Sequence, residues 1–427
     1  MDRRHIALCL LLLTASGVGA QEPKNIAADD HNRYVELPLD HQAPELGSFT
    51  LHYQLSSNFD SGKPTVFYIV DSQQSARDVN KLATRYQFSD SLNLVLIEYR
   101  GRRRSHIDMT KESGSIDWEK VYRLSASHQA VEDIEWVRRD LFGADGDTKI
   151  SLYGRSGGAY LIHEYLSKYS QHAARAFTRA APNPLVMQML GNPESKFFVE
   201  QLDEIDPRLH GKLKAVLARE TVPSHDLLWL LLRLPYGDPN APRLQAQIIN
   251  ELYEQDTRTF DEYRAKSEYS LDFLRGEQRD AVFQEMGAGM LLRPLECDGP
   301  YLLGPEPEYV DPIYTSMRYV SAPVFKLIEE QGFPAPSYPL LESYRNVEAE
   351  VFYLAGRSDH MSPWSIAVEL ANWFPNYAYF IADDTHTMSE HPDCYPLLRN
   401  AFFLHGLGSA ELAEAGQSAL CKEWIPD

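Results

Sequence analysis

The sequence predicts an α/β protein whose mainly parallel central sheet is interrupted by a large helical insertion. Three observations point there. The stretch Lys149–Ala159 sets Gly154-Arg155-Ser156-Gly157-Gly158 between a strand-like run and a helical pattern, with Leu161, Ile162, Tyr165, Leu166 and Tyr169 on one face. Two apolar, β-branched runs before it, Thr65–Val70 and Asn93–Tyr99, read as buried strands. Strand rhythm resumes at Ala349–Leu354, after a long stretch in which every periodic segment is helical.

In chain order, Arg3 and Arg4 precede the apolar run Ile6–Leu13 and the small residues Val18-Gly19-Ala20. This is the pattern of a secretory signal peptide spanning residues 1–20, and it predicts a secreted or periplasmic protein. The run is too short to cross a bilayer, and so is Leu227–Leu234, which contains Arg233. No stable membrane insertion is expected. Strand-like segments at Tyr34–Leu39 and Ser48–Leu55 come next. A helix follows the two buried strands, with Val131, Ile134, Val137 and Leu141 on one face and Gly143 as its stop. After the Ser156 helix, Pro182-Asn183-Pro184 breaks the rhythm. The pattern is then helical to about Tyr344, interrupted at Pro235–Pro239 and at Asp298–Pro312. Beyond Leu354 a helix opens at Ser362-Pro363, a strand covers Tyr377–Ile381, and a last helix carrying Leu397, Leu398, Ala401 and Phe402 stops at Gly406. Residues 21–184 and 345–427 therefore form a split α/β domain, and residues 185–344 a helical cap.

A content of 44 % hydrophobic and 24 % charged residues is that of an ordinary soluble globular chain. The net charge of −20 excludes nucleic acid as a partner, because its phosphates would be repelled. Of the four cysteines, Cys9 leaves with the signal peptide. The remaining Cys297, Cys394 and Cys421 suggest one disulfide and one free thiol in an oxidising compartment. None has metal-ligand spacing, and no metal or cofactor is expected.

A serine on a tight strand-to-helix turn presents its hydroxyl above the sheet, and the helix behind it offers backbone N–H groups to an oxyanion. Gly157 is the residue placed to donate one of them. A serine hydroxyl becomes a nucleophile when an imidazole takes its proton and a carboxylate orients the ring. On this architecture those partners follow the serine in the order acid, histidine. Leu354-Ala355-Gly356-Arg357-Ser358-Asp359 leaves one strand end, and Asp383-Asp384-Thr385-His386 leaves the next. Ser156, Asp359 and His386 are thus the expected triad. The alternatives are His391 and His360, read as surface residues, and Asp383 and Asp384, read as a solvated loop. A plainer role for Asp359 is to cap a turn.

With these residues in view the chain resembles the α/β-hydrolase superfamily, and within it the secreted prolyl aminopeptidase and tripeptidyl aminopeptidase group of serine peptidases. Pro38-Leu39-Asp40-His41 with Gly47-Ser48-Phe49 resembles that group's first strands. Glu98-Tyr99-Arg100-Gly101-Arg102-Arg103-Arg104-Ser105 resembles its D-Q-R-G-x-G-x-S stretch, with Glu98 for the Asp and Arg103 for the second Gly. Gly356–Asp359 with Pro363 resembles its acid loop, and His386 with Cys394 and Cys421 is similar to its histidine loop and terminal cysteine pair. The resemblance implies a Cys394–Cys421 disulfide and an aminopeptidase acting on peptides. One departure stands out. The family's glycine-rich loop after the first central strand is here Asp71-Ser72-Gln73-Gln74-Ser75. An aminopeptidase must recognise a free α-ammonium, and acidic residues of the cap are suited to pair with it. Glu200, Glu204 and Glu277 are the expected ones, with Asp203, Glu251 and Glu254 as further candidates. An esterase or acyl hydrolase acting on small esters with the same triad, and a non-catalytic binding protein that keeps the fold, are the rival readings.

Overall fold

The computed structural model describes residues 29–73, 78–143, 147–266, 271 and 287–426. The signal peptide expected at residues 1–20 lies outside the described residues. Eight strands form one sheet: β1 (Asn32–Pro38), β2 (Ser48–Leu55), β3 (Thr65–Ile69), β4 (Asn93–Ile97), β5 (Ile150–Arg155), β6 (Ala173–Arg179), β7 (Glu350–Gly356) and β8 (Tyr377–Ala382). Their order across the sheet is β1-β2-β4-β3-β5-β6-β7-β8. β2 runs antiparallel to β1 and β4, and every pairing from β4 to β8 is parallel. This is the α/β-hydrolase fold. All five residues of β3 and of β4 are buried, because helices cover both faces of the sheet there, so neither run alternates with polar residues.

β6 escapes sequence reading. Its Ala-Ala-Arg-Ala-Phe-Thr-Arg run has few strand-forming residues, yet it pairs in parallel with both β5 and β7. Ladder hydrogen bonds on two sides outweigh its weak intrinsic preference. At the other end of the sheet β8 is an edge, and the chain terminus shields it. Trp424 N donates to Ile381 O at 2.7 Å, and Ala382 bridges Glu423. Cys394 and Cys421 are bonded, which fastens that terminal segment to the helix Cys394–His405.

The helix Ser127–Phe142 ends at Gly143 with φ 86°, a left-handed residue that glycine adopts without strain. It also explains two of the motifs. Arg100, fully buried, forks onto Asp133 with Nε at 2.7 Å and Nη2 at 2.8 Å, and donates to the carbonyls of Leu39 and Leu124. His41 Nε2 lies 2.8 Å from the same carboxylate, and Gln129 donates to Asp40 at 2.8 Å. The Pro38–His41 stretch and the segment after β4 are therefore parts of one buried network that locks the β1–β2 hairpin to the sheet. Arg103, standing where the resembling stretch has glycine, adopts φ 33°.

Between β6 and β7 every described element is helical, from Pro184–Met189 to Leu341–Tyr344. This insertion has a core of its own, built on Leu202, Leu213, Leu230, Ile249 and Leu252. A second core joins its Trp229, Leu295 and Val324 to Ile116 and Val121 of the α/β part. Where an interruption is expected from Asp298, the helix Arg293–Leu302 instead runs through Pro300. Tyr338 Oη donates to Leu295 O at 2.9 Å against it. Gly299 makes room, since a Cβ there would stand 1.9 Å from that hydroxyl.

Candidate active site

Ser156 joins β5 to the helix Gly157–Tyr169 with φ 50° and ψ −127°, a strained conformation for a residue with a side chain. The turn is held from both sides. Ser156 N donates to Arg179 O at 2.8 Å, and Ser156 O accepts from the amides of Ala159 and Tyr160. The turn also requires Gly154, because a Cβ there would come within 2.7 Å of Gly158 O and 2.8 Å of Ile162 Cδ1. Ser156 itself stays half-buried at the carboxyl end of β5. Gly157 opens the helix, so its N–H is one of the four that have no partner within it.

The two loops that follow β7 and β8 meet this serine. His386 Nε2 lies 3.1 Å from Ser156 Oγ, and His386 Nδ1 lies 2.9 Å from each oxygen of Asp359. Asp359 is fully buried and also accepts from the amides of Met361 at 2.9 Å and Ser362 at 3.0 Å. Four hydrogen-bonding contacts to one carboxylate fix its orientation, and that in turn fixes the ring. The three residues expected to converge do so.

Two of the alternatives, His360 and Asp384, occupy other places than expected. His360, read as a surface residue, is buried with its Nε2 3.0 Å from Leu232 O, and burial holds its pKa down to about 4. Its Nε2 is thus engaged with a carbonyl of the insertion, while His386 Nε2 is the ring nitrogen bonded to Ser156. Asp384, read as solvated, is also buried and accepts from the amides of Thr385, Ser389 and Glu390 and from Tyr395 Oη. It therefore shapes the loop that carries His386. Asp383 is exposed and pairs with Arg357 at 3.6 Å. Arg179 at the tip of β6 adds bonds to the carbonyls of Thr387 and Met388, a support that no sequence pattern announces.

The acidic candidates of the insertion need correction. Glu200 and Glu204 are exposed on the helix Pro193–Ile205, whose Phe198 and Leu202 turn inward. Asp203 is exposed on the same helix. Glu277 lies outside the described residues. Two carboxylates that sequence reasoning missed are buried instead, Glu296 and Asp298 on the helix Arg293–Leu302. Burial, with the like charge of Asp311 beside it, pushes Asp298 up to about 7. Glu296 is raised in the same direction by burial, opposed by the Arg293 guanidinium. A signal existed in the Arg293–Glu296 spacing of three on one helix, a geometry for an ion pair. The insertion also reaches the histidine. Tyr236 stacks edge-on against His386 with ring centroids 5.0 Å apart, and its carbonyl accepts from Thr387 N at 2.9 Å. Tyr236 is close enough to both Asp298 and Asp359 to feel their charges, with burial the larger influence on its phenol.

Among the described residues no group of histidines, cysteines and carboxylates is arranged to hold a metal ion. No described helix is long and apolar enough to cross a membrane.

A scan against protein-family models finds no match, and no curated protein matches the chain. Solved structures similar to it include a proline iminopeptidase from Mycobacterium smegmatis, at 13 % identity and a TM-score of 0.44, covering 90 % of this chain and all 100 % of that one. A probable hydrolytic enzyme from Pseudomonas aeruginosa PAO1 is similar at 11 % identity and a TM-score of 0.44, over 88 % of this chain and 94 % of that one. An alpha/beta hydrolase enzyme from a Medee basin deep-sea metagenome library is similar at 11 % identity and a TM-score of 0.43, over 84 % and 95 %.

Proposed function

We propose that the protein is a serine hydrolase, exported from the cytoplasm, that releases residues or short peptides from free amino termini. The observation that carries the reading is the chain of contacts Ser156 Oγ to His386 Nε2 at 3.1 Å and His386 Nδ1 to Asp359 at 2.9 Å. Ser156 attacks the scissile carbonyl while His386 takes its proton, and His386 then returns that proton to the leaving amine. Asp359 holds the imidazole in the tautomer that leaves Nε2 free to accept. The Gly157 N–H, at a helix N-terminus, donates to the oxyanion. The reaction needs no cofactor.

The aminopeptidase half of the reading is supported by the buried acids on the helix Arg293–Leu302. Asp298 and Asp359 both act electrostatically on Tyr236, whose ring packs on His386, and this reading assigns the substrate's ammonium to Asp298. An incoming ammonium would draw the Asp298 carboxyl back to its charged form, and the pair would repay the cost of burying each ion. Export is supported by the signal-like terminus and by the Cys394–Cys421 bond, which persists in an oxidising compartment.

Labelling with a fluorophosphonate tests the hydrolase reading. The wild-type protein reacts and Ser156→Ala does not; label retained in Ser156→Ala overturns the nucleophile. Paired peptides with free and acetylated amino termini test the rest. Equal cleavage of the two sinks the aminopeptidase assignment in favour of a general acyl hydrolase or esterase.

A further inference from the structure

The loop after β3 lacks glycine, and it is held from an unexpected direction. Asp71, buried, accepts from Gln73 N at 3.0 Å through one oxygen. Its other oxygen lies against Gly157, so close that a Cβ on Gly157 would stand 1.9 Å from it. That same Cβ would stand 3.0 Å from Arg293 Cδ. Two side chains, one from the loop after β3 and one from the insertion, therefore converge on the residue that follows Ser156.

Arg293 is the center of that convergence. It is 2 % exposed, with Nε 3.7 Å from Asp71 Oδ2 and Nη1 2.7 Å from Glu296 Oε2. Nη2 donates to Tyr99 Oη at 3.1 Å, and the guanidinium packs over the rings of Tyr99 and Tyr160. The neighbouring segment of the insertion bonds the same loop. Ser72 Oγ donates to Gly289 O at 3.1 Å and Gln73 Nε2 to Met290 O at 3.2 Å. From the other side Arg102 Nη1 donates to Ser72 O at 2.9 Å. A buried cation costs several kcal/mol to desolvate and is retained only where fixed partners surround it. Here those partners tie the insertion to the backbone beside the nucleophile.

We propose that Arg293 is a positioning residue for the oxyanion side of Ser156: through Asp71 it pins the loop after β3 against Gly157, so the helical insertion completes the catalytic geometry as well as covering it. The inference rests on the serine hydrolase reading above. The placing of this glycine-free loop then depends on a side chain more than two hundred residues away in sequence, on the insertion that splits the α/β domain.

The test uses the full chain and a small neutral ester, p-nitrophenyl acetate, which is too small for binding by the insertion to matter. Arg293→Lys keeps the charge but loses the planar fork, and Arg293→Met removes the charge. Each folded variant should lose about 10- to 100-fold in kcat, the cost of a small misplacement near the reacting atoms. KM should stay within about twofold, and fluorophosphonate labelling of Ser156 should slow in step with kcat. The double variant Asp71→Asn with Arg293→Met should stay slow. Recovery of wild-type kcat in that double variant would mean that Arg293 merely neutralises Asp71, and the inference falls. It falls equally if folded Arg293→Lys turns over like wild type, a result that decides the matter should Arg293→Met not fold. A wild-type protein that neither labels nor hydrolyses the ester overturns the hydrolase reading itself, and the inference with it.

Discussion

At the scale of single residues, each group in the site owes its role to its surroundings more than to its type. Asp359 and Asp384 are both buried aspartates that accept backbone amides, but Asp359 alone faces His386 Nδ1. Asp359→Asn should keep the two amide bonds to Met361 and Ser362 while presenting an N–H or a weaker acceptor to the ring. The expected result is a fold that melts near wild type and a kcat lower by about 10,000-fold, as loss of the correct tautomer entails. Circular dichroism and ester kinetics on one preparation would check both halves.

Asp298 makes a different prediction. Its carboxyl is pushed up to about 7 by burial, well above its ordinary value near 3.8. The folded state therefore binds a proton that the unfolded chain releases. This stability penalty is absent below about pH 4, grows as pH rises, and levels off above about pH 7. Asp298→Asn should leave stability unchanged at pH 4 and raise it at pH 8, by roughly 4 kcal/mol if the whole shift is released. Denaturant melts at the two pH values measure the difference, and an equal effect at both would refute the burial account. The same variant should raise KM for free-amine peptides and spare their acetylated counterparts.

At the scale of elements, the histidine loop is the least regular part of the site and the most heavily supported. Asp384 accepts from three of its amides, Arg179 reaches two of its carbonyls, and Tyr236 covers its outer side. The Cys394–Cys421 bond closes a separation of 27 residues just beyond the loop. In the chain-entropy account a closure of that length contributes about 3–4 kcal/mol. Replacing both cysteines by serine should lower stability by that amount and loosen the terminal segment on β8. Hydrogen exchange at the Trp424 amide, bonded to Ile381 O, would report the loosening. An unchanged exchange rate there would show that strand-edge pairing alone holds the terminus.

At the scale of the whole molecule, the insertion and the sheet are joined in two ways. Their shared core places Ile116 and Val121 with Trp229 and Leu295, and Arg293 bridges to Asp71. Elements that share a core and a buried charge cannot lose one another cheaply, so the chain should unfold in one calorimetric transition with the disulfide intact. A separate transition at lower temperature would mean that the insertion's own core, built on Leu202, Leu213 and Ile249, is the stronger bond. The whole chain also carries a net charge of −20. Its acids are spread so that the exposed ones, Glu200 and Glu204 among them, solvate the surface, while Asp71, Glu296 and Asp298 are held inside.

The amino-acid sequence by itself determined what depends on local periodicity and on chain order. The buried runs of β3 and β4, the glycine stops at Gly143 and Gly406, and the elbow at Ser156 are all written in neighbouring residues. Asp359 and His386 were legible because strand ends come in a fixed order along such a sheet, and Cys394 and Cys421 through a resemblance that the bonded pair matches. What only the tertiary structure decided is what depends on burial between distant segments. β6 is a strand because β5 and β7 flank it, not because its alanines and arginines prefer one. Glu200 and Glu204 look as suitable as Asp298 in sequence, and only packing turns the first two outward and the third inward. The meeting of Asp71 with Arg293 beside Gly157 has no local signature at all. A carboxylate's environment is the sum of what surrounds it in space, and that sum is set when the insertion closes over the sheet.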